Sequence, residues 1–245
     1  VLDRLRSAGA ERVLNEAAMR RGELIDAVVE SRAGGSWYLR SGDLTVVLPP
    51  EEQAAGEELM PRQHLKVVVL EGRMRARDAV VVTSRSHPQL VRLLLEQEVP
   101  ELGRGQVVIR AIAREAGRRT KVAVDSTDPD IDPQGACIGP KGMRHRAVTS
   151  QLGAEQLQVV RYDPDPARYV ANSLIPATVR GVELDSTTRT AHVAVDPGQL
   201  SLAIGRGGEN ARLAARLTGW RIDIAGSALA TAETEESAEE GGDPG

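Results

Sequence analysis

The sequence predicts a multidomain α+β chain, a small five-stranded β-barrel followed by two copies of a module with the element order αββααβ. Three observations predict it. Short β-rich runs broken by turn residues fill residues 22–85, and two similar segments follow at an offset of 66 residues. Each of those segments also carries a Gly-x-x-Gly between two helical stretches.

The elements follow in order. Leu2, Leu5, Val13, Leu14, Ala17 and Ala18 recur at helical spacing, so residues 1–21 read as a connecting helix leading into the first domain. Residues 24–30, 36–40, 44–48, 64–70 and 79–83 are β-rich, punctuated by Gly34-Gly35, Ser41-Gly42-Asp43, Pro49-Pro50 and Gly72. Five strands in about 62 residues match a closed barrel of the OB type, placed at residues 22–85. Trp37 and Tyr38 are adjacent on its second strand, so one faces inward and the other outward, and the pair reads either as two core-rim aromatics or as one core aromatic and one platform for stacking a base. The first module, 86–163, reads as helix 89–97, strands 106–114 and 118–125, helices 133–138 and 143–152, and strand 157–161. The second, 164–226, repeats this as helix 166–174, strands 178–184 and 190–195, helices 198–204 and 209–217, and strand 220–224. Residues 227–245 read as an acidic disordered tail.

Composition narrows the function. The net charge is -4, but the last 19 residues hold six acids and no base, so the remaining body stands at +2. A weakly basic body with clustered Lys and Arg is compatible with a nucleic-acid partner. A single cysteine, Cys137, excludes an internal disulfide, and His64, His87, His145 and His192 lack metal-ligand spacing. We expect no metal and no cofactor. No apolar run approaches the roughly 18–20 residues of a membrane span and no signal peptide is visible, which predicts a cytoplasmic protein with no membrane partner. Phe is absent and Trp and Tyr total five, which disfavours RNA modules that read bases on aromatic platforms. The chain opens on Val1, so we expect a piece of a longer protein.

The anchor of the repeat is Ile138-Gly139-Pro140-Lys141-Gly142 against Ile204-Gly205-Arg206-Gly207-Gly208. Between the last two helices of an αββααβ unit, this is the pattern of a type II KH domain. Two glycines bracketing two residues let main chain approach a sugar–phosphate backbone, and the following helix N-terminus favours phosphate. Such loops clamp about four nucleotides of a single strand. The expected RNA-binding set is therefore Ile138, Gly139, Pro140, Lys141, Gly142, Arg144 and Arg146 at the first loop. Ile204, Gly205, Arg206, Gly207, Gly208, Asn210 and Arg212 form the set at the second, and Lys121 joins from the Arg118-Arg119-Lys121 cluster. Competing readings fail on the residues. A dinucleotide fingerprint would not follow a helix or carry Asn210 at its third glycine, and an NTPase loop would place Ser or Thr where Gly142 stands. Asp125, Asp128, Asp130 and Asp132 interleave with Pro129 and Pro133, so they read as a turn with Asp132 capping the next helix. Cys137, on that helix with no His or second Cys nearby in sequence, reads as a small core residue.

The order barrel, KH, KH, with Asp132-Pro133-Gln134-Gly135-Ala136-Cys137 before the first loop and Glu209-Asn210-Ala211-Arg212-Leu213-Ala214 after the second, resembles the NusA family of bacterial transcription factors. The resemblance implies that the barrel is an S1 domain. It further implies binding of single-stranded nascent or leader RNA on transcribing RNA polymerase, with effects on pausing, termination and antitermination. Residues 1–21 resemble the family's last connecting helix, and its N-terminal polymerase-binding domain is expected to lie outside this sequence. RNA polymerase is thus expected as a partner of the full-length protein. We expect a monomer and no enzymatic activity. Two other classes remain open on the residues, the RNA-binding portion of a ribonuclease and a ribosome-associated KH protein.

Overall fold

A computed structural model describes residues 2–76 and 78–226, with side-chain surroundings from residue 8 onward. The expected acidic tail, 227–245, lies outside the described residues. The chain divides into two compact units, one up to Val159 and one from Val160.

The first unit opens with helix α1 (Leu2–Met19) and strands β1 (Leu24–Ala33), β2 (Ser36–Ser41), β3 (Leu44–Leu48), β4 (His64–Arg75) and β5 (Asp78–Ser84). The strands close into a barrel in the order β1-β2-β3-β5-β4, with β1 pairing back to β4 and a parallel contact between β3 and β5. Period-2 alternation turns Ile25, Ala27, Val29, Leu39, Val46, Leu48, Leu65, Val67 and Val81 into the interior. Helix α1 lays Val13 and Ala17 on this core. Strand β4 runs to Arg75, five residues beyond the expected end, because its extension through Glu71, Arg73 and Arg75 is polar and carries no apolar alternation. Trp37 packs half-buried against the barrel core with the Arg32 guanidinium 5.1 Å from its ring, and Arg75 stands 5.2 Å from the ring of Tyr38.

The same unit continues with α2 (Gln89–Glu98), α3 (Pro100–Gly103), β6 (Val107–Glu115), β7 (Arg119–Ser126), α4 (Pro133–Ile138), α5 (Met143–Gln151) and β8 (Gln156–Arg161). The sheet order is β6-β7-β8. Leu90, Leu94, Leu95, Val122, Val124, Cys137, Val148 and Leu157 form the core, which Val68 of the barrel joins. Asp132 caps α4 by accepting from the N–H groups of Gln134 and Gly135, as expected, and Pro133 occupies the first helical position. Helix α3 is an addition to the expected elements. Four residues are too few to show periodicity, although Pro100 followed by Glu101 is a helix-start signal.

A polar seam ties the barrel to this module. Arg85, almost fully buried, donates to both oxygens of Glu57, to the Lys66 carbonyl and to the Gln151 carbonyl. Nearby, Glu155 accepts from Arg114 Nε and Nη2 (2.9 Å each), from the Thr120 hydroxyl (2.6 Å) and from the Gly117 N–H (2.8 Å). Gly117 has φ +79°, and a Cβ there would collide with the Ala55 carbonyl, so only glycine fits this turn.

The second unit holds α6 (Pro166–Ser173), β9 (Val179–Asp185), β10 (Thr190–Val195), α7 (Leu200–Ile204), α8 (Glu209–Thr218) and β11 (Arg221–Gly226). Its sheet runs β11-β10-β9, antiparallel between β9 and β10 and parallel between β10 and β11. Val170, Leu174, Ala191, Val193, Val195, Ala203 and Ala214 are its core. Asp165 caps α6, and the Tyr169 hydroxyl donates to the Leu217 carbonyl, pinning α6 to the end of α8.

Candidate nucleic-acid interface

The two glycine loops have one backbone. Helices α4 and α7 end at Gly139 (φ 72°, ψ 173°) and Gly205 (φ 76°, ψ 170°). Each is followed by a 3-10 turn, Pro140–Gly142 or Arg206–Gly208, whose middle residue is left-handed: Lys141 at φ 50°, ψ 26° and Gly207 at φ 57°, ψ 26°. Gly142 and Gly208 then repeat the left-handed conformation at φ 73°, and α5 and α8 begin. The closing hydrogen bonds also agree, Gly142 N–H to the Gly139 carbonyl at 3.0 Å and Gly208 N–H to the Gly205 carbonyl at 3.1 Å.

Each loop is latched from behind by the residue five positions after its first glycine. Arg144 Nη1 donates to the Ala136 carbonyl (2.7 Å) and to Glu101 Oε2 (2.9 Å). Asn210 Nδ2 donates to the carbonyls of Leu202 (3.2 Å), Ala203 (3.0 Å) and Leu174 (3.0 Å). Ala136 and Leu202 each lie eight residues before their latch. The latches explain the first glycines, because a Cβ on Gly139 would stand 2.6 Å from Arg144 Cγ, and one on Gly205 would stand 2.7 Å from Asn210 Cβ. Burial pushes the Glu101 carboxyl up, but its own backbone N–H and Arg144 outweigh this and hold it below the usual value.

Three residues of the expected RNA-binding set are engaged within the protein itself. Asn210 has no exposed surface and is committed to closing the second loop. Arg144 spends its guanidinium on Glu101 and Ala136, so it shapes the first loop and does not stand free in front of it. Lys121 is buried on β7, donates to Gln158 Oε1 at 2.6 Å, and burial with the neighbouring Arg119 charge pushes its pKa down to about 7. Residue type signalled polar contacts at all three positions, and burial of Lys121 and Asn210, with the Glu101 partner of Arg144, engages them within the protein.

The remaining expected residues stay at the loops. Lys141, Arg146 and Arg206 are exposed and carry no acidic partner among the described residues, and Pro140 and Gly207 are exposed between them. Arg146 Nη1 lies 3.1 Å from where a Cβ on Gly142 would stand, and Arg212 Nη1 folds back to the Gly207 carbonyl at 3.2 Å. Ile138 and Ile204 are 39% and 38% exposed beside the first glycine of each loop. Two further exposed apolar residues flank the loops, Met143 (60%) and Leu202 (46%), which the sequence reading did not single out. An apolar residue beside a glycine loop was the available signal. Cys137 sits fully buried behind the first loop, its thiol pushed up to about 12 by burial and the Glu101 charge.

Comparison with known proteins accords with this architecture. Residues 85–162 match a family profile described as a NusA-like first KH domain, and 166–232 match the NusA-like second KH domain. The transcription termination/antitermination protein NusA of Mycobacterium tuberculosis is 46% identical over 237 residues, covering 93% of this chain and 68% of that protein. The chain belongs to the NusA family. The NusA of Bacillus subtilis is 38% identical over 224 residues, 91% of this chain and 60% of that protein. That of Thermus thermophilus is 42% identical over 222 residues, 89% and 57%. Like the αββααβ repeat, the NusA similarity thus extends across both glycine loops. Among the described residues, no helix is long and apolar enough to cross a membrane.

Proposed function

We propose that this NusA-family chain is an RNA-binding transcription factor that grips unpaired nascent or leader RNA and, joined to RNA polymerase in the full-length protein, modulates pausing, termination and antitermination. One observation carries the reading. Two loops of different sequence adopt one left-handed backbone, each with an exposed isoleucine beside it and a free cation on it. Lys141 and Arg206 neutralise phosphates, and Arg146 adds charge beside the first loop. Ile138 and Ile204 offer aliphatic surface to bases, which only an unpaired strand can splay onto them. The glycines bring main chain to the sugar–phosphate. Such groups hold a polyanion and do not transfer protons, and we assign no catalysis.

In this reading residues 1–21 are a connecting helix, 22–85 an S1 domain of OB type, and 86–163 and 164–226 the two KH domains. A single copy carries both loops, so a monomer suffices. Because the loops share a chain, occupancy of one raises the local concentration of strand at the other. The test is Lys141→Asp combined with Arg206→Asp, both at exposed loop positions. Single-strand RNA binding should vanish with the circular dichroism spectrum unchanged, whereas retained affinity in a folded double variant overturns the reading. Unpaired oligonucleotides should also outcompete duplexes of the same length.

A further inference from the structure

The two loops share a backbone but not a hydrogen-bonding capacity. In the 205–208 loop the Gly208 N–H is spent on the Gly205 carbonyl and the Glu209 N–H on the Arg206 carbonyl. That leaves the successive N–H groups of Arg206 and Gly207, neither with an acceptor among the described residues. They sit on a helical residue followed by a left-handed one, the arrangement in which adjacent main-chain N–H groups converge into an anion-binding nest. In the 139–142 loop the Gly142 and Met143 N–H groups are spent in the same way, on Gly139 and Pro140. Pro140 has no N–H, so the nest is reduced to Lys141 alone.

The side chains differ in the opposite sense. The first loop carries Lys141 where the second has Gly207, and the exposed thioether of Met143 where the second has Glu209. Side chains in the first turn of a helix lean toward its N-terminus, which inclines Met143 back over the loop. We infer that the loops hold the RNA backbone by different chemistry. The 205–208 loop seats a phosphate oxygen on the paired N–H groups of Arg206 and Gly207, with the guanidinium beside it. The 139–142 loop uses one N–H, the Lys141 ammonium and apolar contact from Met143 to a ribose or base face. This inference rests on the RNA-binding reading above.

A reciprocal exchange tests it, using the full chain and a fluorescent single-stranded RNA of about 12 nucleotides titrated across salt concentrations. The common backbone makes the exchange feasible, since proline already occupies the equivalent position of the first loop. Arg206→Ala removes only the guanidinium and should flatten the salt slope by about 0.7, the value for one phosphate contact on a single strand. Arg206→Pro removes the N–H as well and should bind about tenfold more weakly than Arg206→Ala at an equal slope. Pro140→Ala restores an N–H to the first loop and should tighten binding several-fold without changing the slope. Met143→Ser should weaken binding a few-fold, again with no change in slope. Equal affinity of Arg206→Pro and Arg206→Ala, or no gain from Pro140→Ala, overturns the inference. Pro140→Ala decides the matter if Arg206→Pro does not fold. Loss of effect in Arg206→Ala and Lys141→Ala alike would instead overturn the RNA-binding reading itself.

Discussion

Lys141→Gly should make the protein more stable and its RNA binding weaker. Lys141 stands at φ 50°, ψ 26°, one of four non-glycine residues with positive φ among those described. A left-handed conformation costs an L-residue roughly 1–2 kcal/mol. Glycine relieves that strain but gives back about 0.5–1 kcal/mol through its freer unfolded chain. The net expectation is a gain of about 0.5–1 kcal/mol in urea denaturation, from the balance of those two effects. Gly207, in the same conformation in the second loop, shows that the turn accepts glycine. The same change deletes an exposed ammonium, so the salt dependence of RNA affinity should flatten by about 0.7 in slope. Lys141→Gln separates the effects, because it removes the charge and keeps the strain. A stability loss in Lys141→Gly would refute the strain argument, and an unchanged slope in both variants would refute a phosphate contact by this side chain.

Three further outcomes follow from buried groups. Glu155→Ala strands Arg114, whose side chain is 2% exposed, and should cost about 3–5 kcal/mol by chemical denaturation. Burial pushes the Glu155 carboxyl up, but Arg114, Thr120 and the Gly117 N–H outweigh it and hold the pKa low. A depressed carboxylate stabilises the fold above its unfolded pKa, so acid titration below about pH 4.5 should lose this contribution in the parent and not in Glu155→Ala. Lys121, with a folded pKa of about 7 against 10.5, binds fewer protons folded than unfolded, so stability should rise above pH 7 by up to about 1.4 kcal/mol per unit. Cys137, whose thiol keeps its proton to about 12 in the fold against an ordinary 9.0, offsets that rise above about pH 9 and turns it into a fall above 10.5, and Lys121→Met should abolish only the rise. Asn210→Ala removes the latch of the second loop and leaves the Leu174, Leu202 and Ala203 carbonyls short of a donor. It should destabilise the second unit by about 1–3 kcal/mol and weaken RNA binding without altering the salt slope.

Most secondary elements were legible because their signals are local. β-rich runs broken by glycine and proline turns marked the barrel strands, and Asp132-Pro133 marked a helix start by cap and fixed φ. The duplicated Ile-Gly-x-x-Gly marked the loops. Helix α3 escaped because four residues show no period, and the last five residues of β4 escaped because Glu71, Arg73 and Arg75 alternate with only Gly72 and Met74.

From sequence alone came the repeat, the element order and the positions of both glycine loops, since backbone preference and short-range hydrogen bonding act within a few residues. Only the tertiary structure decided which polar and charged side chains face solvent. Lys121 and Asn210 are interior, Arg144 is bound to Glu101 forty-three residues away, and Glu155 closes a seam through Arg114 and Gly117. The electrostatic cost or benefit of a side chain depends on the dielectric and partners around it, and these are set by segments distant in the chain. A basic residue near a glycine loop is thus a contact or a latch according to neighbours that local sequence does not name.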